Sequence, residues 1–433
     1  MPRDSLLKLA VAVAIPLPAL VIRFSGIELS PYWSLLAYGA AIVGAAVLLA
    51  WAAETAQLDI SGSLAIAVLA LIAVLPEYAV DLVFAYTAGH EPGYAQYAAA
   101  NMTGSNRLLL GFGWPLVALV AALGLRKLRK KRRAGDSKAV GRDDPREVAT
   151  VGGGIQLLAK RRIELTFLSV AALYSFVIPL FRSINLWDGV ILLGMYAVYL
   201  WRVAKEEREE PELIGVCASI GRLPKRYRRA CVVGMFVAAA AFILASAEPF
   251  AHSLVLTGTS LGIDEFLLVQ WLAPLVSESP ELIVACLLAY RLRSDDAIGT
   301  LLSSKINQWT LLVGAIPFAY LIGGGDNGSL PLDGRQTQEF ILTATQTVLG
   351  FAVLLNLRFS WKEAVTLAAL FFLQFPFPQT TVRLGFSAAY ILLALVIIVR
   401  DRENLRPMVR YVLRHRGRAR RTTTSTAALE DQD

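Results

Sequence analysis

The chain has 433 residues, of which 56% are hydrophobic and only 18% charged, with a mean hydropathy of +0.54. Soluble domains carry about 25% charged residues, and here the apolar residues fall in long blocks, so lipid and not water is the solvent of this fold. The net charge of +8 sits in short segments between those blocks, the habit of cytoplasmic loops, and no polar stretch is long enough for the basic-faced soluble domain that nucleic acid would need.

Blocks bounded by Gly, Pro and charge predict an all-α, polytopic membrane protein of about twelve transmembrane helices. The first, at 5–23, follows Met-Pro-Arg-Asp-Ser with no clear small-residue cleavage site and reads as a retained helix, not a signal peptide. Helices follow at 33–53, 62–88, 94–124, 163–181 and 186–203, then at 230–257, 263–291, 295–323, 336–357, 360–376 and 383–400. The intervals 126–162 and 204–229 are too charged to build a core and read as solvated loops. The tail from Arg402 reads as disordered, its arginines a positive-inside anchor or a contact for anionic headgroups.

Alternate loops must share a side, which makes the helix count testable. With the N-terminus inside, 36 of the 42 basic residues fall on inner segments, and only Arg23, Arg182, Arg335 and Arg383 fall outside. A miscounted helix would scramble that split. The expectation is therefore a multi-pass protein of the cell membrane with both termini cytoplasmic.

Two segments share an unusual grammar. Leu-Pro-Glu-Tyr-Ala-Val-Asp at 75–81 precedes Ala-Asn-Met-Thr-Gly-Ser-Asn-Arg at 100–107. Ser-Glu-Ser-Pro-Glu-Leu-Ile at 277–283 precedes Gly-Thr-Leu-Leu-Ser-Ser-Lys-Ile at 299–306. Each puts Pro-Glu inside an apolar helix and a serine-bearing, small-residue cluster in the next. The two helices are third and eighth in the count, an odd offset of five, so the units face opposite ways, a recurrent plan for secondary transporters. The expected division is an extra N-terminal helix in 1–32, a first five-helix inverted repeat in 33–203 and a linker in 204–229. A second five-helix repeat in 230–376 and an extra helix with a basic tail in 377–433 complete it.

These residues resemble the sodium/calcium exchanger superfamily of cation antiporters, whose two α-repeats carry Gly-Thr-Ser-x-Pro-Glu on one helix and Gly-Asn-x-x-Gly-Ser-Asn on the next. The matching residues are Pro76-Glu77 with Gly104-Ser105-Asn106, and Ser277-x-x-Pro280-Glu281 with Ser304. The resemblance implies ten core helices and ions held by Glu77 and Glu281 with nearby hydroxyl and amide oxygens. The chain departs from the pattern at Ala73 and Val74, where hydroxyls are expected, at Glu278 in place of Ser, and at Lys305 in place of Asn. Leu109 and Gln308 stand where the family often has Asn or Asp.

The chemistry agrees with that resemblance. A carboxylate at bilayer depth costs about 2.5–3.5 kcal/mol on insertion scales, yet the core keeps Glu77, Asp81, Glu278 and Glu281. Glu77 and Asp81 are spaced i,i+4, and Glu278 and Glu281 i,i+3, so each pair shares a helix face. Prolines at 76 and 280 each remove a backbone donor, and broken helices expose carbonyls that coordinate cations. Hard cations want oxygen, calcium six to eight of them. Thr103, Ser105, Asn106, Ser277, Ser304, Asn307, Gln308 and Thr310 are the candidates to supply the rest.

Lys305 and Arg107 lie on the small-residue helices as candidate tethered cations. If all six charged groups face one cavity, four carboxylates against two cations suit one divalent ion, two sodium ions or two protons. The alternative is structural pairing of Lys305 with Glu278 and of Arg107 with Asp81. Glu54 and Glu248 read as solvated helix ends, Asp264 and Glu265 as a helix start, and lone His252 as structural. Trp33, Trp187, Trp201 and Trp361 read as an interfacial belt.

The expected function is antiport of calcium or another cation against sodium or protons by alternating access. Sodium/proton exchange is the alternative, and a cation channel or a non-transporting scaffold the competitor from another class. An enzyme is not expected: His90, His252 and His415 have no metal spacing, and Cys217, Cys231 and Cys286 form neither a metal site nor a disulfide framework. The sequence calls for no cofactor beyond the transported cations, and for no partner beyond the bilayer and inorganic ions.

Overall fold

The structure is a computed structural model that describes residues 2–59, 75–133, 154–204, 213, 215–377 and 379–414. Ala73, Val74, the first part of the expected 62–88 helix, His415, most of the basic interval 126–162 and the end of the tail lie outside the described residues. The described chain is α-helical apart from two short antiparallel sheets.

An N-terminal pair, α1 (Arg3–Ala14) and α2 (Leu17–Ser25), bends at Pro16 and lies against α3 (Pro31–Ala56). Then come α4 (Leu75–Ala88), α5 (Ala95–Leu108), α6 (Trp114–Arg133), α7 (Arg162–Tyr174), the short α8 (Val177–Phe181) and α9 (Leu186–Val203). The second half opens with α10 (Val216–Gly221) and the 37-residue α11 (Lys225–Leu261), which carries Pro249 inside it. It continues through α12 (Glu265–Ser277), α13 (Ser279–Tyr290), α14 (Ser294–Asn307), α15 (Val313–Ile322), α16 (Gly334–Leu354), α17 (Trp361–Gln374), α18 (Thr380–Arg400) and α19 (Leu405–Arg414).

Seven helical stretches among the described residues are long and apolar enough to cross a bilayer, or eight counting the bent pair Glu265–Ser277 and Glu281–Tyr290. Of the remaining expected spans, 62–88 lies partly outside the described residues, and the others are short, interrupted or polar. α14 carries Asp295, Asp296 and Lys305, and α16 buries Gln336, Glu339, Thr343 and Gln346. A helix that faces protein on every side does not need an all-apolar surface.

The two halves repeat one order of elements. Both small-residue helices run into a π turn, Leu109–Gly113 after α5 and Gln308–Leu312 after α14, before a further helix. Such turns widen the helical ladder and favour functional sites. Each acid-bearing helix packs on the post-π helix of the other half, α4 on α15 and α13 on α6. The closest approaches match as well: a Cβ on Gly323 would strike the Tyr86 carbonyl, and one on Gly124 would strike that of Tyr290. Glycine is the residue that lets two backbones come this close.

The sheets tie the halves together. Strand β1 (Gly154–Gln156), before α7, pairs with β4 (Arg358–Ser360), before α17; β2 (Ser183–Ile184), before α9, pairs with β3 (Leu330–Pro331), before α16. The first pair joins two segments expected on one side of the bilayer, the second two expected on the other. Ion pairs between loops follow the same rule. Arg161 meets Asp295 at 2.9 Å, Arg228 meets Asp59 at 2.6 Å and Arg335 meets Asp264 at 2.6 Å. Hydrogen bonds from Arg228 and Arg229 hold the Asp59 carboxyl below its ordinary range.

Two readings of the polar segments are corrected. The tail is helical over Leu405–Arg414, where it packs on α7, and the linker contains α10, packed on α3. Each has a core residue that periodicity in a charged segment conceals: Met408 and Ile220 are both buried. Glu54 is also more than a solvated end, since the Cys217 thiol lies 3.2 Å from its carboxylate. Asp264 caps α12 through the Phe266 amide, and Trp33, Trp187, Trp201 and Trp361 are all exposed.

Candidate cation site

Proline decides where the acids stand. Pro76 opens the described part of α4 and sets Glu77 and Asp81 on one buried face. Opposite, Pro280 lies in the first turn of α13, where a missing amide costs least, and the chain bends by 54° between α12 and α13. Glu278 is the residue at that break, its backbone at φ −86° and ψ −7°. Its side chain turns inward and is 1% exposed, against 4% for Glu77 and 0% for Asp81.

The carboxyls of Glu77 and Glu278 face each other within hydrogen-bonding reach. Asp81 and Glu281 lie in the same electrostatic neighbourhood. Glu77 thus meets Glu278 directly, and Glu281 joins the group half-buried from the next turn. Glu278, the residue that departs from the family pattern, is the centre of the cluster.

Amides hold one oxygen of two of these acids. Gln308 Nε2 donates to Glu278 Oε1 at 2.6 Å, and Asn101 Nδ2 donates to Asp81 Oδ1 at 2.6 Å. The other oxygens are left over. Glu77 Oε1, Asp81 Oδ2, Glu278 Oε2 and Glu281 Oε2 are buried without a protein partner, as are Asn101 Oδ1, Ser105 Oγ, Asn106 Oδ1 and Gln308 Oε1. Buried polar atoms are nearly always paired, so such a concentration signals a group that the site is built to receive. All are oxygens, which is the preference of a hard cation.

The remaining candidates are placed less directly. Ser277 donates to the Ala273 carbonyl at 3.1 Å, and Thr103 and Thr310 likewise bond back along their own helices at 2.7 and 2.6 Å. Asn307 accepts from the Tyr78 hydroxyl at 2.9 Å, and Ser304 is buried on α14. Among the described residues no three Asp, Glu, His or Cys side chains converge as a ready-made metal centre. Coordination would draw on amide, hydroxyl and carbonyl oxygens as well as on carboxylates.

The two buried cations have different surroundings. Lys305 is fully buried, donates to the backbone carbonyl of Asn106 and lies in the field of Glu278. Arg107 points away from the acids. It donates to Glu339 Oε2 at 2.6 Å and to Gln374, and it stacks over Trp271 at 5.0 Å. Arg383 takes the other oxygen of Glu339 at 2.7 Å. The expected pairing of Arg107 with Asp81 is therefore corrected, and with it the charge sum that put six groups in one cavity. One helix, α5, serves both groups: Asn101 reaches Asp81 and Arg107 reaches Glu339.

Several participants escaped the sequence reading. Asn101 lies four residues before Ser105, one turn away on the same helix, and a search for amides near the serine cluster would have found it. Glu339 and Arg383 gave no such signal, because their partners are far away in the chain. Gln346, which donates to the Arg107 carbonyl at 3.4 Å, is of the same kind.

Comparison with known proteins identifies the family. The profile of the sodium/calcium exchanger protein family matches residues 29–205 and 231–377. The crystal structure of an H+/Ca2+ exchanger, CAX, is similar with a TM-score of 0.86 and 41% sequence identity, over 95% of this chain and 98% of that one. The Ca2+/H+ antiporter protein YfkE is alike in fold, with a TM-score of 0.57 at 15% identity over 90% of this chain and 100% of that one. No curated protein sequence matches. The family profile spans most of the chain, and the chain belongs to the sodium/calcium exchanger family of cation exchangers.

Proposed function

We propose that this protein exchanges calcium for protons across the cell membrane by alternating access, with both termini in the cytoplasm. The coupling ion is suggested by the H+/Ca2+ exchanger with which it shares 41% of its residues. The observation that carries the reading is the buried meeting of Glu77 and Glu278, with Asp81 and Glu281 beside them and an unpartnered oxygen on each.

Like charges this close in a low-dielectric interior cannot all persist unpaired. Calcium or protons relieve them, and the two compete for the same oxygens, so loading one unloads the other. In this reading Glu77, Asp81, Glu278 and Glu281 carry the exchanged charge. Asn101, Ser105, Asn106 and Gln308 complete the oxygen shell, with Ser277 and Ser304 flanking it. In this reading the site lies between two inverted repeats that open to opposite sides, and the matching π turns and cross-paired strands support it. The inner side is assigned from the 36 of 42 basic residues on inner segments.

The test is counter-transport in proteoliposomes. Calcium uptake should follow an imposed inside-acid pH gradient and weaken as the external pH falls, because protons then compete at the loading face. Glu77→Gln and Glu281→Gln should each reduce it to the level of protein-free liposomes. Wild-type uptake that ignores the pH gradient, or full-rate exchange by both variants, would defeat the proposal.

A further inference from the structure

The equivalent positions of the two halves differ at one decisive place. Counting back from the π turns, which begin at Leu109 and Gln308, Lys305 stands where the first half has Asn106. The two residues also touch, since the Lys305 ammonium donates to the Asn106 backbone carbonyl. A side chain has thus reached its own counterpart across the boundary between the halves. Both residues are 0% exposed, and the ammonium lies in the field of Glu278.

A buried backbone carbonyl is an oxygen that a sodium ion can coordinate. An ammonium is a compact point charge of the same sign, and its N–H groups address the same kind of oxygen. Arg107 does not share this work, because its guanidinium is bound to Glu339. Among the described residues Lys305 is the cation set against the acid cluster.

We propose that Lys305 is a specificity-determining residue: its ammonium is a covalently tethered cation in the place a coupling sodium ion would take, and so it makes exchange indifferent to sodium. The inference builds on the exchange reading above but concerns which ions are refused. A site with its monovalent position filled from within offers the remaining acids to calcium or to protons. Removing the ammonium leaves the Asn106 carbonyl without its donor and reopens that position.

The experiment uses the full-length protein, purified and reconstituted, with Lys305→Asn and Lys305→Met beside the wild type. Calcium uptake is driven by an outward sodium gradient at equal pH, and sodium binding to the detergent-solubilised protein is followed by calorimetry with sodium chloride. Wild type should show neither sodium-driven uptake nor sodium binding. The variants should bind sodium, and sodium should raise their calcium uptake by about tenfold, a coupling typical of linked sites. Sodium-driven uptake by the wild type overturns the proposal, as do folded variants that neither bind sodium nor respond to it. Should neither variant fold, the wild-type response to sodium decides the matter. Wild type that moves no calcium against a pH gradient would sink the calcium/proton reading alone, because calorimetry still tests Lys305 without transport.

Discussion

Two clusters of buried charge lie against α5, and they follow opposite rules. In one, Glu339 receives a guanidinium on each oxygen, Arg107 at 2.6 Å and Arg383 at 2.7 Å, and Gln374 takes a further donor of Arg107. In the other, Glu77, Asp81, Glu278 and Glu281 gather with each keeping an oxygen unpartnered, and Lys305 is the cation nearby. A permanently paired carboxylate holds helices together, here α5, α16 and α18. An unpaired group of carboxylates is poised for a partner that comes and goes. The difference lies in pairing: one carboxylate is held by two guanidiniums, and the others keep oxygens without a protein partner.

The comparison can be broken most forcefully at its structural end. Glu339→Gln leaves two arginines buried without their counter-charge, a loss of about 3–5 kcal/mol by analogy with broken buried pairs. Thermal unfolding in detergent should fall steeply. Glu278→Gln should instead hold or raise that unfolding temperature, because it removes charge from a crowded site, while calcium exchange is lost. Equal destabilisation by the two substitutions would erase the distinction between the clusters.

A smaller effect sharpens the boundary between them. Gly104 lets α12 lie on α5, and a Cβ there would collide with the Gln270 carbonyl. Trp271, the residue after Gln270, stacks on Arg107. Gly104→Ala should cost about 1–3 kcal/mol, as overpacking does, and slow exchange by shifting α12 against the ligand-bearing helix. Unchanged stability and rate would mean that the two helices are free to separate.

The least effect belongs to surface charge. Arg23 and Glu248 pair at 2.7 Å, but both are largely open to solvent. Arg23→Ala should change stability by under about 1 kcal/mol and leave exchange rates alone. A large loss would show that charge pairing matters by geometry alone, whatever its burial, against the premise of the comparison.

Much of the acid site was legible because its grammar is local. Pro-Glu recurs in both halves, and the spacings that put Glu77 with Asp81 and Glu278 with Glu281 on shared faces follow from helix geometry alone. Arg107 was not legible in the same way. Its charge in an apolar helix was plain, but its partner lies 232 residues away, and no spacing rule reaches that far. The π turns were equally hidden, since Leu-Leu-Gly-Phe-Gly and Gln-Trp-Thr-Leu-Leu share no pattern that announces a widened helix.

By itself the sequence determined the solvent, the helical class, the same-side grouping of loops and the identity of the acids, because each follows from hydropathy, charge placement or short-range helical periodicity. Tertiary structure alone decided which carboxylate meets which, that Arg107 serves Glu339, and that Lys305 reaches Asn106. Those outcomes depend on how two halves of the chain dock, and docking brings together groups whose separation along the backbone carries no record of their distance in space.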